Sequence, residues 1–269
     1  MKVLIKLGGT LLDAPETRQR LAAEIASASE QGVDVVVVHG GGKQMTRYLE
    51  SHGIESRFVN GLRVTTPEVL DAVVKVLAGS VNRELVSAFI ACGARAVGLS
   101  GMDALLTEAR QMSPELGWVG KPVQSDANLL NVLLAERYLP VIACLAGDRH
   151  GQFFNVNADQ MAVSVAGALR AHKLLFLTDV DGVRGENNVV YSTLNLDQCE
   201  HLIAAGLATG GMRAKLESAL EAIQAGIAEV IIAPGATPGV VGKFLAGDAI
   251  GTRLVAPAAM PKAVEVRNA

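Results

Sequence analysis

Val35-Val36-Val37-Val38-His39-Gly40-Gly41-Gly42-Lys43 decides how this chain is read. Four consecutive valines predict a strand buried on both faces. Three glycines then stop it. Glycine lets the backbone turn freely and lets a ligand approach the main chain with no Cβ in the way. Residues 43–51 have helical composition. A strand, a glycine turn and a helix start together form a concavity of backbone N–H groups suited to an anion, phosphate above all. Upstream, Lys2-Val3-Leu4-Ile5-Lys6-Leu7 is a second strand closed by Gly8-Gly9, and a helix opening at Pro15 and ending at Gly32 separates the two. This order predicts parallel strands with right-handed crossovers, so both glycine turns lie at one carboxyl edge of a sheet, where open α/β sheets bind ligands.

Composition limits the function classes. At 269 residues the chain can bury one large α/β core or two lobes. Half the residues are hydrophobic and 4% aromatic, which favours aliphatic strands and helices. A net charge of −3 gives no electrostatic case for nucleic acid or an anionic membrane. Cys92, Cys144 and Cys199 sit far apart in apolar stretches, as inert buried thiols of a reducing compartment would. No apolar run approaches the ~20 residues of a membrane span, and the chain starts on a strand rather than a signal peptide. A soluble cytoplasmic protein is expected.

Further along, residues 53–64 read as a loop. Thr65 and Glu68 fit a capping box for a long apolar helix that Gly79 kinks or splits. Residues 94–99 form a strand, 105–120 hairpins, 129–136 a helix and 139–145 a strand. Residues 148–157 read as a polar turn before a helix that runs to about Arg170. A second block follows: strand 173–177, helix 196–205, Gly210-Gly211-Met212 preceding a long helix, strand 229–233 and strand 252–255. Two lobes sharing one sheet divide at residues 1–171 and 172–257, with 258–269 a loose tail.

Common nucleotide fingerprints are missing. Lys43 is followed by Gln44, not the Ser or Thr of a phosphate-binding loop, and the dinucleotide pattern fails at Met45. Zinc spacings and a nucleophile elbow are missing too. His39 beside the glycines reads first as a structural histidine. What remains is a series of polar strand ends: Lys6-Leu7-Gly8-Gly9, His39-Gly40-Gly41-Gly42, Gly61-Leu62-Arg63-Val64-Thr65, Asn155-Val156-Asn157-Ala158-Asp159, Thr178-Asp179-Val180-Asp181-Gly182-Val183, and Gly210-Gly211-Met212 with Lys215.

In that order the series resembles the amino acid kinase superfamily, and within it the N-acetylglutamate kinases, over nearly the whole chain. The resemblance implies a three-layer αβα sandwich of class α/β with a mostly parallel central sheet and two lobes. It implies transfer of the ATP γ-phosphoryl group to a carboxylate in arginine biosynthesis, with Mg²⁺ bound through the nucleotide phosphates; no carboxylate cluster in the sequence stands out as a direct metal ligand. Lys6 and Lys215 match the two transition-state lysines, and Asp159 the aspartate that holds them. Gly8, Gly9, Gly41 and Gly42 match backbone donors to the phosphoryl group and acyl substrate. Arg63, Asn155 and Asn157 match substrate-binding residues. Thr178, Asp179, Val180, Asp181, Gly182, Gly210, Gly211 and Met212 match the nucleotide site. Such enzymes need no general base, because a carboxylate of reference pKa about 4.3 is already ionised. Thr66-Pro67 replaces an acidic residue common after this motif, which reads as helix capping. The start at Lys2 and the pattern of residues 239–252 resemble the arginine-insensitive branch, homodimeric through the N-terminal lobe. Two other readings remain: a sister kinase acting on carrier-protein-linked aminoadipate, and a non-catalytic nucleotide sensor of the same fold.

Overall fold

A computed structural model of the chain describes residues 1–185 and 189–255. The loose tail expected at 258–269, and the last two residues of the expected second lobe, lie outside that range. The centre is an eight-stranded sheet in the order Thr193–Leu194, Thr252–Val255, Glu229–Pro234, Lys173–Thr178, Lys2–Leu7, Asp34–His39, Leu139–Ala143, Ala96–Ser100. Every pairing is parallel except that of Glu229–Pro234 with Thr252–Val255. Residues 3–5, 35–38 and 174–177 are at most 1% exposed, as continuous aliphatic runs of a sheet covered on both faces must be. Pro15–Glu30 packs with Asn82–Ala91 and Val240–Ala246 in one helical group, and Ala158–Leu169 with Gly210–Gln224 in another.

Register sets the site. Leu7 stands opposite His39 on one side and Leu177 on the other. The carboxyl ends of three strands from the two halves of the chain therefore meet at one edge.

A four-stranded closed barrel of Thr107–Gln111, Val119–Ser125, Leu145–Gly147 and Phe153–Val156 caps the first half. The expected hairpins appear in the antiparallel pairing of Thr107–Gln111 with Val119–Ser125. Residues 153–156, expected as a turn, are a strand instead: Phe154 and Val156 are buried and alternate with Phe153 and Asn155, a period too short to stand out beside the polar residues 148–152. The expected capping box does not form, and the cap lies one residue later. Thr66, not Thr65, is the N-cap; its Oγ1 accepts from Val69 N–H and donates to Glu68 Oε2. Pro67 explains the shift, because proline belongs at the first helical position and the cap must precede it. Gly79 does not split its helix. It lies in a wider π-helical stretch, Val74–Val81, between Pro67–Val73 and Asn82–Ala91. Gly210–Met212 are the first turn of the helix they were expected to precede. Val240–Ala246 is an unforeseen helix, bracketed by Gly239 and Gly247 at positive φ. Cys144 and Cys199 are buried, and burial pushes their thiols up to about 11 and 12; Cys92 is only half-buried. Among the described residues no helix is long and apolar enough to cross a membrane.

Candidate active site

Lys6 sits near the carboxyl end of its strand with only 6% of its surface exposed. Its Nζ lies 2.6 Å from Asp159 Oδ1. Asp159 is in the first turn of Ala158–Leu169, where the positive helix end favours a carboxylate. Lys215, on Gly210–Gln224, places Nζ 3.3 Å from the other oxygen, Asp159 Oδ2. Burial alone would raise the Asp159 pKa; the charges of Lys6 and Lys215 outweigh it and hold the carboxyl below its usual range. The cluster carries two cations and one anion. Its surplus positive charge, shielded from water, favours an arriving anion.

Beside it the two glycine turns touch. A Cβ on Gly9 would lie 2.8 Å from Gly42 N, and one on Gly41 would collide with Leu77 Cδ2. Gly9 and Gly42 open helices, so their N–H groups have no intrahelical partner. Gly8 differs from expectation: its N–H donates to Leu177 O at 3.0 Å, so the parallel sheet consumes that donor.

A cavity of about 220 Å³ lies in front of the turns, lined among others by Lys6, Gly41, Gly42, Arg63, Asn155 and Asn157. Arg63, 9% exposed, ends the short hairpin of Phe58–Val59 and Leu62–Arg63, within what was read as loop. Its guanidinium donates to Ser56 Oγ, to Thr46 Oγ1 at 2.8 Å and to Gly42 O at 3.2 Å, and stands 4.5 Å over the Phe58 ring. No carboxylate pairs with it among the described residues. Asn155 Nδ2 donates to Thr65 Oγ1, which donates to Arg63 O. Thr65 is fully buried. Sequence reasoning spent it on a cap; Pro67 was the signal that freed it. Asn157 is the N-cap of its helix, Oδ1 accepting from Asp159 N at 2.8 Å and Gln160 N at 3.3 Å. That oxygen is therefore committed to holding Asp159 in place, and only the amide nitrogen is left for a ligand.

His39 is fully buried. Its Nδ1 lies 2.9 Å from Gly40 O, which can only accept, so Nδ1 carries the proton and Nε2 accepts from Asn82 Nδ2 at 3.0 Å. Burial, aided by the Arg83 charge and opposed by the bond to Gly40 O, pushes the imidazole down to about 4. A depressed folded pKa means that the unfolded chain takes up the proton first. His39 thus contributes its full stability above pH ~6.5 and loses it as pH falls toward 4, on the order of 3 kcal/mol in all. Denaturant midpoints should fall from pH 6.5 to 5 in the native protein and fall less in His39→Gln; equal slopes would remove the assignment.

The expected nucleotide residues lie outside the cavity. Thr178 is buried at its strand end, with Oγ1 donating to Asp179 Oδ1 at 3.2 Å. Asp179, Val180 and Asp181 are exposed, and Asp181 pairs with Arg184 at 2.9 Å. Gly182 has φ +149°, and a Cβ there would come within 2.7 Å of Thr252 Oγ1 and Val190 Cγ1, so the turn requires glycine. Gly210 and Gly211 are exposed and Met212 half-buried; Lys215, on the same helix, reaches Asp159. Among the described residues no group of three or more His, Cys, Asp or Glu side chains converges as around a metal ion.

The Amino acid kinase family matches residues 1–234. A protein named acetylglutamate kinase from Solibacter usitatus (strain Ellin6076) is 58% identical over 255 residues, covering 95% of this chain and 99% of the relative. Another of that name from Koribacter versatilis (strain Ellin345) is 40% identical over 259 residues, covering 95% and 99%. Among solved structures, N-acetylglutamate synthase from Neisseria gonorrhoeae, in complex with coenzyme A and N-acetyl-glutamate, superposes with a TM-score of 0.84 at 26% identity, over 94% of this chain and 59% of that one.

Proposed function

The chain belongs to the amino acid kinase family, and from that premise we propose that it phosphorylates the side-chain carboxylate of N-acetyl-L-glutamate with ATP, giving an acyl phosphate in arginine biosynthesis. The observation that carries this reading is a cavity lined by two buried cations, Lys6 and Arg63, of which Arg63 has no carboxylate partner among the described residues. A buried unpaired charge is costly, so its counterion is the ligand. A dicarboxylic acceptor supplies one carboxylate for Arg63 and one for the reaction.

The chemistry follows from the charges. The acceptor is ionised without help, so the barrier is the approach of an anion to a polyanion. Lys6 draws the acceptor end and Lys215 the nucleotide end of the transferring group. Asp159 keeps both ammonium groups in place without acting as a base. The free N–H groups of Gly9, Gly41 and Gly42 bind oxygens of the phosphoryl group or acceptor, at no cost of reorganisation during the reaction. Asn155 and the Asn157 amide nitrogen bind the α-carboxylate and acyl amide. Residues 178–182 and 210–212 hold the nucleotide. Mg²⁺ bound through the nucleotide phosphates neutralises part of their charge; Asp159, with each oxygen facing a lysine, is not free to ligate it.

An ATP-turnover panel with N-acetylglutamate, glutamate, aspartate and carrier-linked aminoadipate tests the proposal. Turnover with N-acetylglutamate far above the rest supports it; preference for another acceptor, or none, ends it. In Arg63→Gln the KM for the acceptor should rise about 10- to 100-fold with a smaller change in kcat, the effect of losing a charged hydrogen bond of about 1.5–3 kcal/mol.

The finer assignments accompany this proposal. Residues 1–171 bind the acceptor, and 172–257 bind ATP. The protein acts in the cytoplasm as a homodimer through its N-terminal lobe. In support, Ala96–Ser100 is an open sheet edge, and Ile90 on the helix preceding it is 57% exposed. Ile90→Glu should halve the mass seen by light scattering, and sub-millimolar arginine should leave turnover unchanged. A native hexamer, or half-inhibition by such arginine, would contradict the branch assignment.

A further inference from the structure

The buried His39–Asn82 pair does more than fill the core. Asn82 follows the π-helical stretch Val74–Val81 directly and is fully buried. Its Nδ2 reaches both His39 Nε2, at 3.0 Å, and Val141 O, at 2.9 Å, while its Oδ1 accepts from Arg83 Nη2. The amide orientation is thereby fixed: the nitrogen faces the imidazole and two backbone carbonyls, Val141 O and, at 3.4 Å, Leu99 O, and the oxygen a cation. Because Nδ2 can only donate, Nε2 of the imidazole must be bare, and Nδ1 must carry the proton to Gly40 O at 2.9 Å.

That carbonyl shares a peptide unit with the N–H of Gly41. In a planar trans peptide the two groups point in opposite directions. Holding the carbonyl against His39 therefore fixes the direction of the Gly41 N–H, which has no acceptor among the described residues and belongs to a glycine lining the cavity. Glycine would otherwise let this peptide plane rotate easily. Leu77, packed against the place where a Gly41 Cβ would stand, leaves no room for a stiffer residue. The turn must stay glycine, so its rigidity has to come from outside the turn.

We infer that His39 and Asn82 are positioning residues: the neutral imidazole, oriented by Asn82, pins the Gly40–Gly41 peptide and so aims the Gly41 N–H at the reacting oxygens in the cavity. This rests on the acceptor site proposed above. It assigns His39 neither proton transfer nor contact with substrate.

Two substitutions separate the links. His39→Asn places an amide N–H where Nδ1 stood and keeps the bond to Gly40 O. His39→Gln places its amide near Nε2, keeps the contact with Asn82 and loses the bond to Gly40 O. Steady-state kinetics, with the folded fraction measured by thermal denaturation, are run with whichever acceptor the native protein phosphorylates, so failure of the substrate assignment does not obscure the result. The expected result is a fall in kcat per folded enzyme of about 10²-fold in His39→Gln, the scale of one lost backbone-type donor, and at least tenfold recovery in His39→Asn. A purely structural role would lower thermal stability and leave kcat per folded enzyme within about threefold. That outcome, or equal losses in both variants, overturns the inference. ¹⁵N NMR of the native protein gives a second test that needs no variant: a pyrrole-type Nδ1 and pyridine-type Nε2 are expected at neutral pH, and the opposite tautomer overturns the inference.

Discussion

Replacing Lys215 by alanine should lower kcat by about 10²- to 10³-fold at saturating ATP and acceptor, the effect of removing one preorganised donor from a developing charge. Its effect on stability should be small. Lys215 is the more exposed lysine of the cluster, with 18% of its side chain accessible, and its 3.3 Å contact is the longer one. Without it, Asp159 and Lys6 remain a neutral pair at 2.6 Å. The variant should therefore melt within a few degrees of the native protein while turning over far more slowly. Near-normal turnover would sink the role assigned to Lys215 and with it the account of transfer between the two halves of the chain.

Replacing Asp159 by alanine should do the opposite to the balance of charge. Two ammonium groups would be left facing each other around a buried space, one of them on a lysine only 6% exposed. Breaking a buried pair in this way costs about 3–5 kcal/mol. At about 2–4 °C per kcal/mol for a domain of this size, the melting temperature should fall by roughly 10 °C. Turnover should fall as well, since neither lysine is then held in place. The pH dependence carries a further signature. The Asp159 carboxyl is held below its ordinary value, so its stabilisation is complete above the unfolded pKa of about 3.9 and is lost as pH falls below it toward the folded value. Asp159→Ala should have a flatter acid limb. A variant as stable as the native protein would show that the lysines do not depend on this carboxylate.

Lys6, Asp159 and Lys215 were legible as candidates only through the family resemblance of the ordered motifs; taken singly, each reads as an ordinary strand-end, first-turn or helix-surface charge. Their meeting was implied by that resemblance and by no local pattern. It depends on Lys2–Leu7 lying between Asp34–His39 and Lys173–Thr178 in the sheet, an order that no local pattern states. Arg63 was readable from its motif, whereas its lack of an acidic partner appears only once every neighbouring side chain is placed. Gly8 shows the reverse case. As a glycine after a strand it reads like its neighbour Gly9, yet its N–H is consumed by Leu177 O.

The sequence by itself determined the strands, through aliphatic runs such as Val35–Val38, the turns that end them, through glycine, and the residue types able to bind anions. These depend on backbone freedom and on burial of contiguous side chains, which are local properties. The tertiary structure alone decided which donors remain free, that Thr65 faces Asn155 instead of capping a helix, that Asn157 spends its oxygen on Asp159, and that His39 is neutral with its proton on Nδ1. The physical reason is that hydrogen-bond partners, tautomers and charge pairing are set by groups within about 3 Å, and at this sheet edge those groups come from distant parts of the chain.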